Sequence, residues 1–144
     1  MVRTMTSRVV HFEIPIDDPD RAGVFYRSVF GWTVAKWGPV DYWTMTTGAE
    51  PGRGAEGALT PRAEAPEGVV VYVGVEDIDR ALVGVQDAGG TVVNGKMPIP
   101  TVGWSARFRD TEGNLVGLSR WTPRSRCPPA EYPADHRRPS ARLV

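Results

Sequence analysis

The residue types best suited to chemistry in this chain are His11 and Glu13, an imidazole and a carboxylate two positions apart in RVVHFEIP, residues 8–15. That run alternates cleanly: Val10, Phe12 and Ile14 share one face, and Val9, His11, Glu13 and Pro15 the other. Either side chain could take a proton from a substrate if its pKa lay near neutral. Alternate residues on a strand sit roughly 7 Å apart, so the two could also converge on a divalent cation. Such a site usually needs a third protein ligand, for which Glu56 is the one conceivable donor. The plainer reading is a buried histidine satisfied by a hydrogen bond.

The elements that must position these residues come from a sequence written twice. Residues 16–34 align without a gap on 75–93, with Asp18/Asp77, Asp20/Asp79, Arg21/Arg80, Ala22/Ala81, Val24/Val83, Gly31/Gly90 and Val34/Val93 identical at an offset of 59. Each copy opens with a strand, 8–15 or 69–75. A helix follows, started by Asp18-Pro19 or by Asp77. Ala22, Phe25, Tyr26 and Val29 predict the inward stripe of the first helix, and Ile78, Ala81, Leu82, Val85 and Ala88 that of the second. Gly31 and Gly89-Gly90 end them. Three short strands are expected after each helix: 32–37, 41–47 and 56–60, then 91–94, 103–109 and 115–121. This reading gives one domain over 1–122, built of βαβββ modules 8–62 and 68–122, with a Pro/Arg-rich tail at 123–144. The tail is expected to lie on the surface or to reach a partner subunit.

Carrying the alternation across the strands predicts a pocket face of His11, Glu13, Val70, Tyr72, Ser105, Arg107, Gly117 and Ser119. By the repeat, Trp43 and Met45 are expected to point the same way. Aromatic walls with a few convergent polar groups are the usual make-up of a small-molecule site. Glu13 and Arg107 could equally pair with each other across the cavity.

The bulk numbers exclude several classes of partner. With 17 basic and 17 acidic residues in 144, no broad positive field invites nucleic acid or anionic lipid. The single cysteine, Cys127, allows no internal disulfide and suits a reducing compartment. The longest apolar run, residues 68–75, fits a buried strand and falls short of a membrane span. Met1–Val10 lacks the apolar stretch of a secretion signal, so a cytoplasmic protein is expected.

The tandem βαβββ pattern, opening with HFEIPIDDPDRAGVFY and closing with VGWSARFRDTEGNLVGLSR, resembles the vicinal oxygen chelate superfamily. That group includes glyoxalases, bleomycin resistance proteins, extradiol dioxygenases and methylmalonyl-CoA epimerase. The resemblance implies an α+β fold, two modules closing an incomplete barrel around a pocket, and often a divalent metal held from several strands. It places the ligand positions at His11, Val70 and Gly117, and of these only His11 carries a donor. The leading expectation is therefore a cytoplasmic, homodimeric protein that binds a small organic molecule without metal or other cofactor. Trp43, Met45, Tyr72, Arg107 and Ser119 would contact the ligand, and His11 or Glu13 would act as proton acceptor if there is turnover. One alternative is a metal-dependent lyase, isomerase or dioxygenase with His11 as one ligand. Another is a resistance protein that sequesters a drug without turning it over.

Overall fold

The computed structural model describes residues 7–48, 54–100 and 102–121. In chain order they form β1 (Val9–Ile16), α1 (Pro19–Phe30), β2 (Thr33–Lys36), β3 (Trp43–Thr46), β4 (Glu56–Pro61) and a short 3-10 turn (Arg62–Glu64). Then follow β5 (Val70–Gly74), α2 (Ile78–Asp87), β6 (Thr91–Ile99), β7 (Gly103–Arg109) and β8 (Leu115–Trp121). All eight strands join one mixed, open sheet in the order β2-β3-β4-β1-β5-β8-β7-β6. The order is its own mirror image under the repeat: β1 matches β5, and the edge strands β2 and β6 match each other. Within each half the first strand pairs in parallel with the last, β1 with β4 and β5 with β8. The halves meet where β1 and β5 run antiparallel. This is the expected α+β architecture.

Both helices start where a carboxylate can satisfy otherwise unpaired amides. The Asp18 side chain accepts from the backbone N–H of Asp20 and Arg21, each at 3.0 Å, and Asp77 accepts from Arg80 at 3.0 Å. Helix α1 ends at Gly31, whose φ of 74° is left-handed and suits a residue without Cβ. The stripe of α1 differs from expectation. Ala22 and Tyr26 pack on the sheet, but Phe25 and Val29 remain more than half exposed. Gly23 is the buried position of this helix and lies against Val34, so the helix leans on its glycine side and turns Phe25 and Val29 outward.

Strand β6 is also longer than the expected 91–94. Register shifts between Val92 and Asn94 and between Asn94 and Met97 absorb Gly95, and the strand continues to Ile99. Its Pro98 is tolerated because β6 is an edge strand. The face of the sheet toward α1 buries Ile16, Met45 and Leu59 with Phe12, Ile14 and Trp43; the α2 side buries Ile78, Ala106 and Leu118. The concave face carries a third cluster, Trp37, Val40, Tyr42, Ala58, Ala65, Val70, Tyr72, Ile99 and Val102. Among the described residues no helix is long and apolar enough to cross a membrane. The tail expected at 123–144 lies outside the described residues.

Both capping carboxylates reach solvent, and Asp18 also lies 4.0 Å from the Arg21 guanidinium, an exposed pair of little energetic weight. Asp18→Ala is expected to lower unfolding free energy by about 1 kcal/mol, read as a shift of the urea midpoint at constant slope.

Candidate functional site

Strand alternation sends His11 and Glu13 to the concave face, where both are fully buried at 0% and 1% exposure. In register across the seam, His11 lies opposite Tyr72 and Glu13 opposite Val70; on the other side, His11 faces Glu56 and Glu13 faces Ala58. Tyr72 is opposite Gly117 on β8, and Gly117 is opposite Arg107 on β7. One row of the sheet thus runs Glu56, His11, Tyr72, Gly117, Arg107. Because position 117 has no side chain, Arg107 can reach across β8 toward β1.

The Glu13 carboxylate is the meeting point. Its Oε1 accepts from Arg107 Nη2 at 2.9 Å and from the Tyr72 hydroxyl at 3.0 Å, and its Oε2 accepts from the Tyr42 hydroxyl at 2.9 Å. Arg107 also donates from Nε to the Tyr72 oxygen at 2.8 Å and from Nη1 to the Glu64 carbonyl at 3.2 Å. The Tyr42 oxygen also lies 2.8 Å from His11 Nε2. Tyr42 has one hydroxyl proton, and it goes to Glu13. The His11 contact therefore requires the imidazole to donate, which fixes the proton on Nε2.

Burial acts differently on each member. It drives the His11 pKa from the ordinary 6.5 down to about 3, so the ring is a neutral imidazole. Burial also raises the Tyr72 pKa well above its usual value; the Glu13 charge adds to this and Arg107 opposes it, so the phenol stays protonated. Burial works against the charge on Arg107, yet Tyr72 and Glu13 outweigh it and hold the guanidinium above its usual pKa. The surrounding medium is apolar: Trp37, Val40, Ile99 and Val102 belong to the same buried cluster as Tyr42 and Tyr72. The Trp37 and Tyr42 rings meet edge-on at 5.8 Å. Electrostatic contacts there are stronger than in water, and an uncompensated charge would be costly.

Of the residues expected at the site, the structure brings together His11, Glu13, Tyr72 and Arg107. Ser119 is buried on the same face, opposite Gly74 and Ser105. Trp43 and Met45 are elsewhere. They pair with Leu59 and Gly57 and pack in the cluster under α1, so their expected inward orientation is corrected. The reason is parity. An offset of 59 is odd, so inward Ser105 and Arg107 match positions 46 and 48, whereas Met45 matches Trp104 on the opposite face. The same parity puts Tyr42, which the sequence reading did not single out, on the concave side.

The residues present do not fit the divalent metal that the resemblance implies. Both oxygens of Glu13 are taken by donors, one of them a guanidinium that would repel a cation. Val70 has no donor atom, and a Cβ built on Gly117 would overlap the Tyr72 ring. Glu56, opposite His11, accepts at Oε1 from the Thr47 backbone N–H at 2.7 Å. Among the described residues, no group of three or more His, Cys, Asp or Glu side chains could hold a metal ion.

Comparison with known proteins places this geometry in a family. The model of the glyoxalase/bleomycin resistance protein/dioxygenase superfamily matches residues 8–118. A glyoxylase-like domain-containing protein from Didymella fabae is 32% identical over 112 residues, covering 74% of this chain and 88% of that protein. Methylmalonyl-CoA epimerase from Mycobacterium tuberculosis superposes with a TM-score of 0.65 at 18% identity, over 86% of this chain and 95% of its own. A variant of the Streptomyces coelicolor methylmalonyl-CoA epimerase, in complex with 2-nitronate-propionyl-CoA, gives a TM-score of 0.65 at 20% identity, over 82% and 99%. The chain belongs to the glyoxalase/bleomycin resistance protein/dioxygenase superfamily.

The neutral state of His11 has a consequence for stability. The unfolded chain protonates this histidine near 6.5 and the folded chain only near 3, so between these values the unfolded state binds more protons. The His11 contribution is complete above pH 6.5 and is lost as pH falls toward 3, on the order of a few kcal/mol in total. Urea unfolding over this range is expected to show a steeper acid-side loss for the wild type than for His11→Gln. Parallel curves would contradict the assignment.

Proposed function

We propose that this member of the superfamily binds a small organic molecule on the concave side of its sheet, without the family's divalent ion and without acid–base turnover by His11 or Glu13. The observation that carries this reading is the state of the two candidate bases. A proton acceptor works best with a pKa near the operating pH. The His11 pKa of about 3 leaves its imidazole a weak base, and the Glu13 carboxylate already accepts from Tyr42, Tyr72 and Arg107. Protonating Glu13 would forfeit charge-assisted contacts worth more than ordinary hydrogen bonds.

In this reading Tyr72 and Arg107 form the polar floor of the site, with Ser119 beside them, and His11 and Glu13 hold that floor rigid. The ligand lies between the floor and the apolar cover supplied by Trp37, Val40, Ile99 and Val102, which shifts to admit it. Acyl-CoA thioesters are the first class to test, because a fold neighbour is in complex with 2-nitronate-propionyl-CoA. Flat aromatic compounds are the second, given the aromatic lining.

Protein purified without chelators is expected to contain far less than one Zn, Ni, Mn, Fe or Co per chain by elemental analysis. Thermal-shift screening of the two compound classes should give stabilising ligands that mass spectrometry recovers unchanged. A stoichiometric metal, or product formed at catalytic rates and lost in His11→Ala, would overturn the reading.

A further inference from the structure

We infer that the two modules are locked together by a buried anion, the Glu13 carboxylate ringed by hydrogen-bond donors from both halves, in the place where the family layout puts a cation ringed by acceptors. The inference extends the metal-free half of the proposed function but stands on the side-chain geometry itself and is independent of any ligand.

Four observations carry it. First, the contacts cross the seam: Glu13 and Tyr42 come from the first module, Tyr72 and Arg107 from the second. Second, donors from three residues converge on one carboxylate. Arg107 and the two phenols donate to the carboxylate, and His11 Nε2 donates to the Tyr42 oxygen behind it. Third, the ring lies beside the family's ligand positions, with Glu13 opposite Val70 and Tyr72 opposite Gly117. Gly117 leaves room for the Tyr72 ring, which would overlap even a methyl group there, and for the Arg107 side chain to cross. Val70, opposite Glu13, adds only apolar surface. Fourth, charge is balanced inside a medium that tolerates no imbalance: one carboxylate against one guanidinium at 2.9 Å, with Glu13 and Arg107 at 1% and 5% exposure.

A cation centre and an anion centre make opposite demands. The first selects acceptors such as imidazole and carboxylate and is undone by chelators. The second selects phenol, guanidinium and N–H, and responds to loss of the carboxylate. Here the donors stand preorganised around a carboxylate that belongs to the chain itself. Removing that side chain while leaving the ring of donors turns the centre into a receptor for an external carboxylate.

Chemical rescue tests this. Glu13→Gly is expected to lower Tm by roughly 10 °C or more, since it leaves Arg107 buried and unpaired. Formate, acetate or propionate should recover much of that loss, whereas sodium chloride at equal ionic strength should not. A folded Glu13→Gly variant that no carboxylate stabilises beyond the chloride control would overturn the inference. If Glu13→Gly does not fold, Tyr72→Phe and Arg107→Met, alone and combined, decide the matter. Both touch the same carboxylate, so the combined Tm loss should fall clearly short of the sum, and strict additivity would overturn the lock. Addition of Zn or Ni to the wild type separates the two readings. Metal stabilisation with carboxylate rescue intact removes the metal-free function but leaves the lock, while failed rescue without metal binding removes the lock alone.

Discussion

The buried ion pair between Glu13 and Arg107, reinforced by Tyr42 and Tyr72, is the constraint around which the rest of the concave face is arranged. It spans the antiparallel β1–β5 seam, which joins the modules through backbone hydrogen bonds. A side-chain contact from β1 to β7 ties the first strand of one half to the penultimate strand of the other. Such a pair is not in itself a large net source of stability, because desolvation offsets much of the attraction. Its effect is specificity of arrangement: any docking of the halves that separated the charges would bury each of them alone.

From this constraint the surrounding residue choices follow. Gly117 is bare because the Tyr72 ring lies over it. Trp37, Val40, Ile99 and Val102 share one buried apolar cluster with Tyr42 and Tyr72, the two phenols that hold the carboxylate. His11 is neutral because it is wholly buried. The superfamily's fold is thus retained, and the likeness of this chain to methylmalonyl-CoA epimerases is one of fold.

Much of this architecture was legible in the residues. The exact 59-residue repeat shows the twofold layout, and the Asp18 and Asp77 caps with Gly31 mark the helix ends. Alternation in β1 places His11 and Glu13 side by side, and the same rule finds Tyr72 and Arg107. What the pattern hid was parity in β3. Treating the offset of the repeat as even turns Trp43 and Met45 inward, while the odd offset of 59 directs them beneath α1. Tyr42 lies inside the expected strand 41–47, and assigning Trp43 and Met45 to the inward face turns it away from the pocket, although its hydroxyl is the link between His11 and Glu13. The outward turn of Phe25 and Val29 was hidden because a helical stripe does not say how closely a glycine such as Gly23 lets the helix approach.

The central claim is that an anion ringed by donors occupies the heart of this barrel. The most direct measurement is a crystal structure of the protein grown with nickel or zinc, with anomalous data collected at the metal edge. The account expects no anomalous peak at His11 and a Glu13 carboxylate held by Arg107, Tyr42 and Tyr72. A fully occupied metal at bonding distance from the His11 imidazole, with Arg107 displaced from Glu13, would contradict it.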